Sequence, residues 1–206
     1  MDSARVITGR NRTAPAPGYA ARGRFTAHPS HEGPTSRNIR GLDMKTLLIV
    51  YHSMTGGTAQ MARAAADGAA TEPGLRVRLL RAPEAQPADV LEADGYLFAT
   101  PENLASMSGM MKDFFDRSYY AALERINGRP YATLICAGSD GQNAVRQIDR
   151  IATGWRLRSV APAIIVCTHA QTPEAILREK VIAPEELQRC NELGAALATG
   201  LALGVY

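Results

Sequence analysis

The 206-residue chain is 46% hydrophobic and 21% charged, enough apolar material for one full-sized domain and too much for a wholly disordered polypeptide. Its net charge of +3 arises within residues 1–43, where seven Arg face three acidic residues; the remainder holds 16 basic and 17 acidic side chains. The basic excess therefore says nothing for a basic groove on the folded body, no nucleic-acid partner is expected, and no apolar run reaches the roughly 20 residues that cross a bilayer as a helix.

Residues 1–43 are rich in Pro, Gly, Ser, Thr and Arg and carry no sustained apolar periodicity. Such a stretch buries too little surface to offset its ordering entropy, so a disordered N-terminal tail is expected there. It also lacks the apolar core of a signal peptide. Composition changes abruptly at Met44, the expected start of a domain over residues 44–206.

From residue 45 onward, short apolar runs alternate with longer amphipathic segments. Residues 46–51 (TLLIVY) form a near-continuous apolar strand of the kind buried on both faces of a parallel sheet. A helix rich in alanine follows over about 58–70, then a strand at 75–80 in which apolar residues alternate with Arg. A short helix near 88–92 leads to a strand at 95–100, and a helix at about 109–124 carries Met111, Phe114, Phe115 and Ser118 on one face. A fourth strand is expected at 131–136, a helix at 142–155, a fifth strand near 163–167, and a last helix from Pro184. In that helix Gly194, Ala198 and Ala202 recur every fourth residue, a stripe that suits either a subunit interface or cover by the chain's own sheet.

Five strands, each followed by a helix, predict an α/β fold with right-handed crossovers and helices on both faces. Ligands of such sheets bind beyond the C-terminal strand ends, where strand order reverses. The loops there are unusual. After the first strand, His52-Ser-Met-Thr-Gly-Gly-Thr58 offers three hydroxyls, two glycines and the free amides of a helix start, a donor set suited to phosphate. It contains no Lys or Arg, so hydrogen bonds without a cationic partner are expected to carry the anion. Neither the Walker A spacing nor the dinucleotide GxGxxG spacing is present, and a plain helix cap is the alternative reading. After the third strand come Thr100, Pro101, Glu102, Asn103, Leu104, Ala105 and Ser106; after the fourth come Gly138, Ser139, Asp140 and Gly141. Both are small, polar loops whose amides suit the edge of a flat heterocycle. Asp140 reads as a turn former, Trp155 as core, and His52 as a donor or a bystander. No Ser/His/Asp or Cys/His set falls in these loops, which speaks against hydrolase chemistry.

The run Ile49-Val-Tyr-His-Ser-Met-Thr-Gly-Gly-Thr58 resembles the flavodoxin phosphate signature, an S/T-x-T-G-x-T loop after strand one. Thr100-Pro-Glu-Asn103, with Met107-Ser-Gly-Met-Met-Lys-Asp-Phe-Phe-Asp116, is similar to the third-strand loop and helix of NAD(P)H-dependent FMN and quinone reductases of the flavodoxin-like superfamily. The resemblance implies a doubly wound, five-stranded parallel sheet of order 2-1-3-4-5. It implies non-covalent FMN, with Ser53, Met54, Thr55, Gly56, Gly57 and Thr58 at the phosphate, Thr100 to Ser106 along the isoalloxazine, and Gly138 to Gly141 flanking it. The implied activity passes hydride or electrons from NAD(P)H, as co-substrate, to a flavin, quinone or similar small-molecule acceptor. A flavodoxin-type electron carrier docking on a protein partner is the alternative. Many relatives place an aromatic residue in the third loop, where this chain has Asn103 and Leu104. The three cysteines lack CxxC spacing, so reduced thiols in a cytoplasmic protein are expected, without bound metal.

Overall fold

The computed structural model describes residues 44–206; the tail expected over residues 1–43 lies outside them. Side-chain alternation in the first strand sets the architecture. In β1 (Lys45–Tyr51), Leu48 and Val50 face one apolar cluster while Leu47 and Ile49 face another, and all four are fully buried. A strand buried on both faces must lie inside a sheet with helices above and below.

The chain continues through α1 (Gly57–Ala69), β2 (Leu75–Arg81), α2 (Pro87–Glu92), β3 (Gly95–Asn103), β4 (Ser106–Met107), α3 (Gly109–Ala122) and β5 (Pro130–Ala137). It ends with α4 (Gln142–Gly154), β6 (Arg158–Ser159), β7 (Ile164–Cys167), α5 (Pro173–Leu177) and α6 (Pro184–Ala202). Strands pair in parallel in the order β2-β1-β3-β5, with β6 and β7 both on the outer edge of β5. The last position of the expected 2-1-3-4-5 order is thus one edge strand in two pieces. Tyr131 pairs with Ser159 and Leu134 with Ile164, so the edge strand carries two extra residues across the break. Pro162 sits in that break and has no amide to give the ladder.

On one face α2, α3 and α4 cover the sheet through Phe114, Phe115, Ile148 and Trp155, and Phe115 packs 4.9 Å from Phe98 and 5.3 Å from Trp155, ring centre to ring centre. On the other face lie α1 and α6. Their approach is backbone to backbone: a Cβ on Gly194 would fall 1.9 Å from Ala65 O, and one on Gly68 would fall 2.0 Å from Asn191 O. Gly194 and Ala198 are covered in this way by the chain's own α1, while Ala202 is exposed. The small-residue stripe therefore serves packing within the chain and gives no case for a subunit interface. Among the described residues no helix is long and apolar enough to cross a membrane.

The order reverses between β1 and β3: from β1 the chain first adds β2 on one side, then crosses back to β3 on the other. The loops after β1, β3, β5 and β7 meet above that switch point.

Candidate functional site

The loop after β1 ends in a tight helix start. Gly56 takes φ 86° as the residue that opens α1, a left-handed conformation for which glycine carries no Cβ penalty. Ser53 Oγ accepts from the Gly56 amide at 3.1 Å, and the first helical bond runs from Gln60 N to Gly56 O at 3.1 Å. The amides of Gly57, Thr58 and Ala59 are left without intrahelical acceptors, and no side chain caps them. Thr58 is 1% exposed, and among the described residues its hydroxyl has no oxygen or nitrogen partner, only the Cys136 thiol, a weak one, beside it. Gly57 is obligatory for a separate reason, since a Cβ there would meet Cys136 Sγ at 2.7 Å.

The segment after β3, expected as a plain loop, extends the strand to Asn103 and folds back as a hairpin onto β4. Its two turn residues, Leu104 (φ 51°) and Ala105 (φ 55°), are both left-handed, the backbone of a type I′ turn built without glycine. Side chains from α4 hold this turn in place. Asn143 Nδ2 donates to Ala105 O, and Gln147 Oε1 accepts from Ser106 Oγ at 2.7 Å and from Met107 N at 3.1 Å. Thr100 faces inward, fully buried, with its hydroxyl bonded to Ser108 Oγ at 3.0 Å. Thr100, Ala105 and Ser106 therefore shape the hairpin from behind.

Pro101, Glu102, Asn103 and Leu104 line a cavity of about 430 Å³, together with Ser53, Met54, Thr55, Gly57 and Thr58 from the first loop. Asn103 Nδ2 reaches Met54 Sδ at 3.8 Å across its rim. Glu102 joins two loops: its Oε2 accepts from the Gly141 amide at 2.8 Å, while its Oε1 is buried without a partner. Of the fourth-loop residues Gly138 lines the cavity, whereas Ser139 and Asp140 point to solvent. Gly141, at φ 83°, opens α4 and packs so closely that a Cβ would lie 2.7 Å from Ile165 Cγ2.

One wall was not legible in the sequence. Thr168 and Ala170 after β7, then Ile176, Leu177 and Lys180 around α5, close the cavity opposite the hairpin. Lys180 is fastened to the first loop: its amide donates to Thr55 O at 2.7 Å, and its carbonyl accepts from Gln60 Nε2 at 2.6 Å. Gln60 Oε1 in turn accepts from Ile182 N at 3.1 Å. Lys180 is some 120 residues from Gln60 along the chain, in a short mixed stretch with no motif to mark it. The loop itself holds no Lys or Arg; the backbone of Lys180 is bonded beside it.

The cavity is polar at the head of α1 and apolar at its mouth, where the exposed side chains of Met54, Leu104, Ile176 and Leu177 stand around it. Among the described residues no aromatic side chain lines it. Cys136 forms part of the floor, and burial pushes its thiol up to about 11, so it is protonated at neutral pH and is no nucleophile. His52 stands behind the loop, its amide bonded to Ala99 O at 3.0 Å; burial, and secondarily the Arg81 charge, hold its imidazole below the usual value. Among the described residues no group of three or more His, Cys, Asp or Glu is placed to hold a metal ion.

A donor set of hydroxyls and open amides, beside a slot with an apolar mouth, fits a flat heterocycle carrying a phosphate. Residues 44–172 match the family described as NADPH-dependent FMN reductase. The chain is 35% identical over 95 residues to an NAD(P)H dehydrogenase (quinone) of Acidithiobacillus ferrooxidans, covering 36% of this chain and 48% of that protein. It is 42% identical over 73 residues to a flavodoxin of Aquifex aeolicus, covering 35% of this chain and 40% of that one. The chain thus spans about half the length of the curated relatives it matches. Among solved structures, a flavodoxin, WrbA-like protein from Agrobacterium tumefaciens superposes with a TM-score of 0.59 at 19% identity, over 78% of this chain and 98% of that one. The fold is flavodoxin-like.

Proposed function

The chain belongs to the NADPH-dependent FMN reductase family, and from that premise we propose that residues 44–206 bind FMN non-covalently and act as an NAD(P)H-dependent oxidoreductase on a flavin, quinone or similar small acceptor. The observation that carries this reading is the buried hydroxyl of Thr58, whose sole polar neighbour among the described residues is the weakly bonding Cys136 thiol, beside the open amides of α1. A desolvated hydroxyl is costly unless something bonds to it, and a phosphate oxygen supplies the acceptor.

In this assignment Ser53, Met54, Thr55, Gly56, Gly57 and Thr58 form the phosphate cradle. Pro101, Glu102, Asn103 and Leu104 line the ring, with Thr100, Ala105 and Ser106 fixing their backbone. Gly138 flanks the ring, while Ser139, Asp140 and Gly141 shape the turn that leads into α4. Glu102 Oε1 is a free acceptor for a ring N–H donor. The aliphatic mouth would pack against the ring and keep water from it when FMN is bound. FMN, when bound, supplies the redox chemistry, taking hydride from the nicotinamide and delivering electrons onward. With a protonated Cys136 and, among the described residues, no carboxylate besides Glu102 in the lining, the protein's part is to bind, orient and exclude water.

A flavodoxin-type carrier is the second reading, favoured by the Aquifex relative. Against it stands the near-neutral body, with 16 basic and 17 acidic residues after position 43. Carriers are steered to protein partners by strong complementary charge. Three unpaired cysteines suit a reducing cytoplasm. The test is steady-state turnover: FMN-loaded protein is mixed with NADH or NADPH and a benzoquinone. Sustained nucleotide oxidation supports the reductase; bound FMN with no nucleotide oxidation, whatever the acceptor, contradicts it in favour of the carrier.

A further inference from the structure

We propose that Lys180 is the countercharge by which the site selects a phosphorylated flavin over an unphosphorylated one. This rests on the FMN-binding reading and adds to it a residue outside the 44–172 segment that matches the family.

Among the described residues lining the cavity, Lys180 is the sole cation and Glu102 the sole carboxylate; the Glu179 carboxylate stands at its margin, 3.7 Å from where a Cβ on Gly56 would sit, and Lys180 also lines the neighbouring cavity with Glu179. Glu102 lies on the hairpin side. Lys180 lies over the first turn of α1, where a Cβ on Gly57 would come within 3.3 Å of Lys180 Cβ. Its backbone is fixed at both ends by that helix and its loop, through Thr55 O and Gln60 Nε2. The stem of the side chain is therefore placed beside the cradle, by Thr55 of the loop and Gln60 of α1.

The ammonium is held rather than free. Nζ donates to Ala175 O at 2.8 Å, Ile176 O at 2.8 Å and Arg178 O at 2.6 Å, using all three of its protons on the carbonyls around α5. Neutral carbonyls are weaker partners than a phosphate dianion, so a phosphate in the cradle competes for one of these donors. Even without that exchange the charge acts through space. Its field already opposes the burial that raises the Cys136 thiol on the cavity floor. A role confined to capping α5 would hold the wall in place for any flavin. A countercharge matters only to a flavin that carries phosphate, and the two roles differ in what they predict for riboflavin.

The experiment is calorimetric titration of the full chain with FMN and, separately, riboflavin, for wild type, Lys180→Met and Lys180→Arg, at low and high sodium chloride. The expected result is an FMN affinity about tenfold weaker or worse in Lys180→Met, with riboflavin affinity changed by less than about twofold and Lys180→Arg recovering most of the loss. Wild-type preference for FMN over riboflavin is also expected to shrink as salt rises. Should Lys180→Met fail to fold, that salt dependence decides, and its absence overturns the proposal. An equal loss for both ligands, or an unchanged ratio, overturns the countercharge while leaving the FMN reading intact. No FMN binding by wild type overturns both.

Discussion

Glu102 Oε2 accepts the Gly141 amide proton at 2.8 Å, and through this bond the loop after β3 is joined to the turn that opens α4. The amide belongs to a glycine at φ 83°, so the bond also holds a backbone conformation that few residues adopt. Glu102→Ala is expected to lose about 1–3 kcal/mol of stability, the range for a hydrogen bond to a charged group with its buried partner left unmade. Glu102→Gln retains an acceptor and keeps most of that stability. Urea unfolding of the two variants checks this, and equal stability in both would contradict it.

Thr58 makes a prediction of opposite signs for two properties. Its hydroxyl is buried against nothing stronger than the Cys136 thiol, so Thr58→Val removes a poorly compensated desolvation without changing shape. Ligand-free protein is expected to be equally or more stable in urea. FMN affinity is expected to fall by about 1–3 kcal/mol, the worth of one hydroxyl bonded to a dianion. A loss of stability without ligand would show that the hydroxyl already has a role in the fold.

The seam between α1 and α6 leaves no room for a methyl group. With a Cβ on Gly194 only 1.9 Å from Ala65 O, the helices must separate to admit alanine. Gly194→Ala is expected to cost about 1–3 kcal/mol or more, as overpacking does, and to lower the thermal midpoint despite alanine's better helix propensity. Thermal unfolding followed by circular dichroism measures it; a raised midpoint would contradict the close contact.

His52 gives the fold a pH dependence of definite sign. Burial, with the Arg81 charge second, lowers its pKa in the folded protein below the unfolded value of 6.5. Below that value the unfolded state binds the proton more readily. Its contribution to stability is fully present above 6.5, and is lost as pH falls from there to the lowered folded pKa. His52→Gln is expected to flatten the stability profile over that window and leave the slope above neutrality unchanged. Urea midpoints measured across the window decide; identical slopes in variant and wild type would contradict the burial.

Much of this was legible because the strong signals are local. A run such as residues 46–51 announces a two-sided strand, and the hydroxyl-glycine loop that follows it announces an anion site whatever the rest of the chain does. The hairpin after β3 is not legible in the sequence because Leu104 and Ala105 are not turn formers; α4 holds the turn through Asn143 on Ala105 and Gln147 on Ser106 and Met107, which is tertiary information. β6 is a two-residue, exposed strand, too short to show periodicity. The stripe in α6 was ambiguous between two partners until Gly68 and Gly194 were seen in contact with the opposite helix. Lys180 is the residue least legible in the sequence, since nothing near it along the chain connects it to Thr55.

The cradle is tested most directly by titrating FMN into ligand-free protein in a calorimeter, with wild type beside a Thr55→Ala/Thr58→Val double variant. Wild type is predicted to give a saturable one-to-one isotherm and a yellow complex, and the double variant an affinity weaker by about 2–6 kcal/mol from two lost hydroxyls. A flat trace from wild type, or equal affinity in the two proteins, would contradict the assignment of this site.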